Sequence, residues 1–243
     1  MADRPTALVT GGAKRVGRAI VERLAEAGFE VAFTYRNSHR EAKELEAELA
    51  RRQHRIVSRA FDLTDASAAE AVADWARSRL GRLDALVNCA SLYLPDDHPA
   101  GASPQLQRTL IDVNVTAPAW LMASLSPELT TTRGCVINFL DLLAEKPWPR
   151  YSAYCASKAA LHSLTLSYAR KLAPHVRVNG IAPGVIDWPD DMPEADRQTY
   201  LQKVPLGRAG TPREAADVVH WLATAAPYVT GQVIRLDGGR SLV

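Results

Sequence analysis

Short apolar runs of strand length alternate with longer helical stretches along the whole chain, and that alternation constrains the fold most. The runs are "ALVT" (7–10), "EVAFTY" (30–35), "RIVSRAF" (55–61), "LDALVN" (83–88), "GCVINFL" (134–140), "VRVNGIA" (176–182) and "QVIRL" (232–236). Between them lie helical patterns at 18–28, 39–52, 66–79, about 103–125, a helix carrying Tyr154 to about Leu172, and 212–224. Ile20, Leu24 and Ala27 recur at helical spacing, with Gly28 as a stop. Strands separated by such helices imply right-handed crossovers. The expectation is therefore an α/β chain: a doubly wound parallel sheet of about seven strands with helices on both faces. A length of 243 residues at 47% hydrophobic suits one domain, 1–243, with a large core. The irregular stretch "APGVIDWPDDMPEADR" (182–197) reads as part of a loop-helix lid at about 185–203.

Twenty-nine Lys and Arg against 27 Asp and Glu give a net charge of +2, which argues against a nucleic-acid partner. Cys89, Cys135 and Cys155 are widely spaced, suggesting a reducing, cytoplasmic setting and offering no metal site. No segment approaches the ~18 uninterrupted apolar residues of a membrane span.

"ALVTGGAKRVGRAI" reads as a strand, a glycine turn and a helix start. Gly11, Gly12 and Gly17 let the backbone turn tightly near a ligand, and the helix amides beginning near Val16 face a negative group. In the first βα unit of such a sheet, that group is a dinucleotide pyrophosphate. After the second strand comes "TYRNSHR", with no acid between Glu30 and Glu41. Arg36 can pair with a 2′-phosphate through its planar fork and Ser38 can donate a hydroxyl, so NADPH is expected rather than NADH. Asp62 and Leu63 follow the third strand, and Asn88, Cys89, Ala90 and Ser91 the fourth, at the ligand-binding edge. Asp62 either accepts from an adenine amino group or caps the next turn.

Tyr154 and Lys158 stand at i and i+4 on one helix face, with Ser157 turned away. A nearby ammonium is expected to lower the phenol's pKa and make it a usable general acid. The same lysine can hold the nicotinamide ribose.

TGxxxxxG at 10–17, "NCAS" at 88–91, Asn114 in "DVNVTAP", YxxxK at 154–158 and "APG" at 182–184 follow in order. Together they resemble the short-chain dehydrogenase/reductase family, of Rossmann type, over almost the full length. In that family a serine before the tyrosine binds the substrate carbonyl; its position here holds Asp141. The middle glycine of the family's first loop is Arg15. Both departures, and "YRNS" (35–38), resemble the pteridine reductase branch. The resemblance implies catalytic Tyr154, Lys158, Asp141 and Asn114, the last as a water-relay residue. It implies a cofactor site from Gly11, Lys14, Arg15, Val16, Gly17, Tyr35, Arg36, Asn37, Ser38, Asp62, Leu63, Asn88, Ala90, Ser91, Tyr154, Lys158, Pro183, Gly184 and Ile186. A pterin substrate would meet Tyr93 by stacking, Arg15 at its carbonyl oxygen, and Asp141 and Tyr154 at its ring nitrogens. Asp141 can orient or relay to Tyr154, or accept from pterin N–H groups. The alternatives are a carbonyl reductase, such as a 3-oxoacyl carrier-protein reductase, or a non-catalytic NADPH-binding regulator. A homotetramer is the family's expectation.

Overall fold

A computed structural model describes residues 4–65, 67–188 and 192–243. Seven parallel strands form one sheet in the order β3-β2-β1-β4-β5-β6-β7. They are β1 (Thr6–Thr10), β2 (Glu30–Tyr35), β3 (Ile56–Ala60), β4 (Ala85–Asn88), β5 (Cys135–Phe139), β6 (Arg177–Pro183) and β7 (Val233–Leu236). The helices are α1 (Arg15–Glu26), α2 (His39–Arg51), α3 (Ala68–Leu80), α4 (Pro104–Ile111), α5 (Ala117–Ser124), α6 (Ser126–Thr132), α7 (Ser152–Leu172), α8 (Glu194–Leu201) and α9 (Pro212–Thr224). The expected pattern is present. Ala66, the first residue of the helix expected at 66–79, and 189–191 of the expected lid lie outside the described residues.

The two-residue period of each strand splits the core into two layers. Val9, Phe33 and Ile137 face Ile20 and Leu24 of α1, Leu45 of α2 and Val219 of α9. Leu8, Leu86 and Val136 face Val72 of α3, Leu121 of α5 and Ala169 of α7. Because both faces are covered, the strands read as continuous apolar runs. The strand order reverses between β1 and β4, so the loops after them splay apart and open a crevice at the strands' carboxyl ends.

The single helix expected over 103–125 is broken. Ser103 caps α4, its hydroxyl accepting from the Leu106 amide at 3.2 Å. A π-helical turn over Asp112–Thr116 then precedes α5. Such a turn accommodates an extra residue, and Pro118, lacking an N–H, falls in the first turn of α5. The short α6 was not anticipated, because "SPELTTT" carries no apolar period.

Gly17 makes the tightest approach of the first turn. A Cβ there would lie 2.0 Å from the Gly11 carbonyl oxygen. Gly17→Ala is therefore expected to destabilise the fold by about 1–3 kcal/mol, checked by thermal melting with and without NADPH.

Candidate active site

A cavity of about 610 Å³ occupies the crevice. At one end the first turn of α1 presents Lys14, Arg15, Val16 and Gly17 to it. These first amides have no intrahelical acceptor, no side chain caps them, and the first turn holds no acid. They form a ready anion site. Tyr35, Arg36, Asn37 and Ser38 line the same end. Arg36 is exposed, and among the described residues no carboxylate pairs with it. Lys14 pairs with Glu41 at 2.8 Å. Asp62 and Leu63 line the wall, and Asp62 Oδ1 accepts from the Thr64 amide and hydroxyl at 3.0 and 2.9 Å, so Asp62 does cap its turn. Gly11, Ala90, Ser91, Pro183, Gly184 and Ile186 complete the expected cofactor wall. An unneutralised arginine, free helix amides and an acid-free β2 end make this donor set fit a dinucleotide carrying an extra phosphate.

The Asn88 side chain lies behind the cavity wall. It is 2% exposed, off the cavity wall, and its Nδ2 donates to Asn138 Oδ1 at 2.8 Å. The side chain of this β4 residue is turned into the middle of the sheet, where it braces β5.

The other end of the cavity holds Tyr154, Lys158 and Asp141. Tyr154 is 4% exposed, and its hydroxyl donates to Asp141 Oδ2 at 2.7 Å. Asp141 Oδ1 accepts from the Leu143 amide at 2.9 Å, which caps the tight turn after β5 and fixes the carboxylate. Lys158 is 2% exposed, and its ammonium donates to the Phe139 carbonyl at 2.8 Å, 5.8 Å from the Tyr154 ring centre.

The expected lowering of the phenol's pKa is overturned. Burial, and then the charge and hydrogen bond of Asp141, hold Tyr154 well above its ordinary value. Lys158 directs its proton at a backbone carbonyl instead. Burial also raises Asp141, opposed by the Leu143 amide, the Tyr154 hydroxyl and the Lys158 charge. Burial pulls Lys158 down to about 8, against the attraction of Asp141. The result is a neutral phenol touching a carboxyl group that binds its proton more readily than usual.

The Asn114 side chain lies behind the cavity wall. Its Oδ1 accepts from the Leu92 amide at 2.9 Å and the Ser91 hydroxyl at 3.1 Å. Its Nδ2 donates to the Leu92 carbonyl and the Ser157 hydroxyl, both at 3.0 Å. Ser157 in turn donates to the Tyr154 carbonyl at 2.7 Å. The side chain is spent on these bonds and does not reach the cavity wall. It ties the loop after β4 to α7.

Tyr93 does reach the cavity, but one ring face is taken. It stacks on Tyr151 at 4.6 Å and 10°, and meets Tyr154 edge-on at 4.8 Å. Tyr151 and Trp148 were missed, although both sit in "KPWPRYSAY" (146–154), just ahead of Tyr154. Arg15 is placed differently from expectation. Its Nε donates to Asp187 Oδ2 at 2.6 Å, and Nη2 donates to the Asp187 and Trp188 carbonyls at 2.9 and 3.3 Å. Lys146, Tyr200, Arg240 and Ser241 also line the cavity and were not anticipated.

The comparisons agree with this architecture. A family model described as "Enoyl-(Acyl carrier protein) reductase" matches residues 11–241. Pteridine reductase 1 of Leishmania tarentolae is 34% identical, over 98% of this chain and 96% of its own. A 3-oxoacyl-[acyl-carrier-protein] reductase of Staphylococcus aureus is 32% identical, over 96% and 97%. The crystal structure of a blue fluorescent protein from a metagenomic library, in complex with NADPH, superimposes with a TM-score of 0.91 at 31% identity, covering 97% of each chain. With the sheet, the glycine turn and the Tyr154–Lys158 pair all in place, the chain belongs to the short-chain dehydrogenase/reductase family of oxidoreductases.

Proposed function

We propose that this protein is an NADPH-dependent pterin reductase, acting on the pyrazine ring of a dihydropterin. The observation that carries this reading is the 2.7 Å bond between Tyr154 and Asp141, where the family's usual serine would offer a neutral hydroxyl to a ketone. The relative named a pteridine reductase supports it.

NADPH would supply the hydride. Arg36 and Ser38 would hold its 2′-phosphate, the first turn of α1 its pyrophosphate, and Lys158 its ribose. Tyr154 gives a proton to the ring nitrogen beside the carbon that receives the hydride. Asp141, whose raised pKa lets it carry a proton, hands that proton to the phenol oxygen. The Asp141 carboxylate that remains is then balanced by Lys158. The Leu143 amide keeps Asp141 aimed throughout. A ketone, by contrast, develops alkoxide charge, and the carboxylate that Asp141 becomes on giving up its proton would oppose it.

The test is steady-state NADPH oxidation with dihydrobiopterin, dihydromonapterin and dihydrofolate beside an acetoacetyl thioester. Turnover with a pterin and none with the thioester is expected; the reverse result would establish the carbonyl reductase. Cofactor choice has its own test. Arg36→Ala is expected to raise the KM for NADPH about tenfold or more, the worth of a charge-assisted hydrogen bond, while the KM for NADH stays within about twofold.

A single domain spanning 1–243 with a substrate lid at about 185–203, a homotetrameric assembly and a cytoplasmic setting belong to the same proposal. Cys89, Cys135 and Cys155 are free thiols, in keeping with a reducing compartment. Among the described residues no helix is long and apolar enough to cross a membrane.

A further inference from the structure

The cavity wall after β7 carries a cation that neither cofactor binding nor proton transfer uses. Asp237 builds a hook there: its Oδ1 accepts from the Gly239 amide at 2.9 Å and its Oδ2 from the Ser241 amide at 2.7 Å. Gly238 and Gly239 have φ of +60° and +87°, and a Cβ on them would lie 2.8 Å from Val204 and 2.9 Å from Pro205. The hook is thus seated tightly on the segment that follows α8. Lys146 fastens it from the other side, its ammonium donating to the Ser241 carbonyl at 2.6 Å.

The hook aims Arg240 at the cavity that Tyr154 also lines. Its guanidinium lies over the Tyr200 ring of α8, 5.5 Å from the centre. One nitrogen, Nη1, donates to the Val243 carbonyl at 3.1 Å. Its Nε is buried and has no hydrogen-bond partner among the described residues. A buried guanidinium N–H without an acceptor is costly and calls for one. The described acids nearby are engaged: Asp237 accepts from the hook's own amides, and Glu145 pairs with Arg235 at 2.5 Å. β7 is one edge of the sheet and β2, which Arg36 follows, lies next to the other edge, so Arg240 stands far from the Arg36 end. The missing acceptor therefore belongs on the substrate side.

We propose that Arg240 is a specificity-determining residue that binds an anionic oxygen, a carboxylate best of all, on the arm of the substrate remote from the reacting ring. A planar fork resting on an aromatic face leaves its N–H edge free for a carboxylate. The proposal rests on the pterin reading for the identity of the ring, but its test separates the two.

Protein loaded with NADP+ is titrated calorimetrically with dihydrofolate, whose arm ends in carboxylates, and with dihydrobiopterin, whose arm is short and uncharged. Arg240→Gln is expected to weaken dihydrofolate binding about tenfold or more, with dihydrobiopterin changed less than about twofold. Arg240→Lys should recover part of the loss, and matched melting curves would show the hook intact. Equal weakening of both ligands overturns the proposal, as does no change in either. A wild-type protein that prefers dihydrofolate in neither affinity nor Arg240 dependence overturns it equally. NADPH oxidation is read separately: failure to turn over any pterin removes the pterin reading, while the binding contrast still decides Arg240.

Discussion

Tyr154→Phe is expected to lower kcat with a dihydropterin by about 10²–10⁴-fold, the usual worth of a positioned general acid. The ring stays: Phe keeps the edge contact with Tyr93 and the packing on Leu110 and Cys155. Only the hydroxyl goes, and with it the relay from Asp141 through the phenol to the substrate. NADPH affinity, followed by quenching of protein fluorescence, should stay within about threefold, because Lys158 is anchored on the Phe139 carbonyl and not on the phenol. A kcat within threefold of wild type would remove Tyr154 from the chemistry. The variant also leaves Asp141 without a donor that favours its ionised form, so its carboxyl should rise further.

Asp141→Asn should cut pterin turnover by about 10²-fold or more, because an amide keeps the shape and cannot relay a proton. A second signature distinguishes this loss from simple misfolding. In the wild type, burial holds the Lys158 ammonium at about 8 and the charge of Asp141 opposes that fall. Lys158 is therefore charged below pH 8 and neutral above it, so activity that needs the ammonium declines as pH rises through that value. Removing the negative charge takes away the opposing effect, and the alkaline limb of the rate profile should move to lower pH. An unmoved limb would mean that Asp141 and Lys158 do not sense each other. Asp141→Ser restores the hydroxyl that ketone reductases in the family use, and should raise activity on an acetoacetyl thioester while losing it on pterins.

Much of the fold was legible because it is written in local periods. Leu8 faces one layer while Ala7 and Val9 face the other. The break at Asp112–Thr116 was not legible, since a single π-helical turn within "DVNVT" leaves the apolar spacing on either side readable as one helix. In the site, the Tyr154–Lys158 pair was readable from spacing, and Asp141 from the family resemblance. The direction of the Tyr154 pKa was not, because spacing shows the neighbouring cation but not the burial and the Asp141 charge that raise the phenol. Arg15 and Asp187 meet across 172 residues of sequence, so their pairing needed the fold. Arg240 follows the last strand and joins the cavity only through the hook; no motif announces it.

The Arg15–Asp187 contact has a consequence for how ligands arrive. The glycine turn and the segment after β6 are held together by an internal carboxylate occupying the guanidinium, at 2.6 Å. Both side chains are more than a third exposed, so exchanging one anion for another at that fork costs about 1 kcal/mol or less. A phosphate arriving at the glycine turn would thus meet a guanidinium already shaped for negative charge, with Asp187 as its competitor for the same fork.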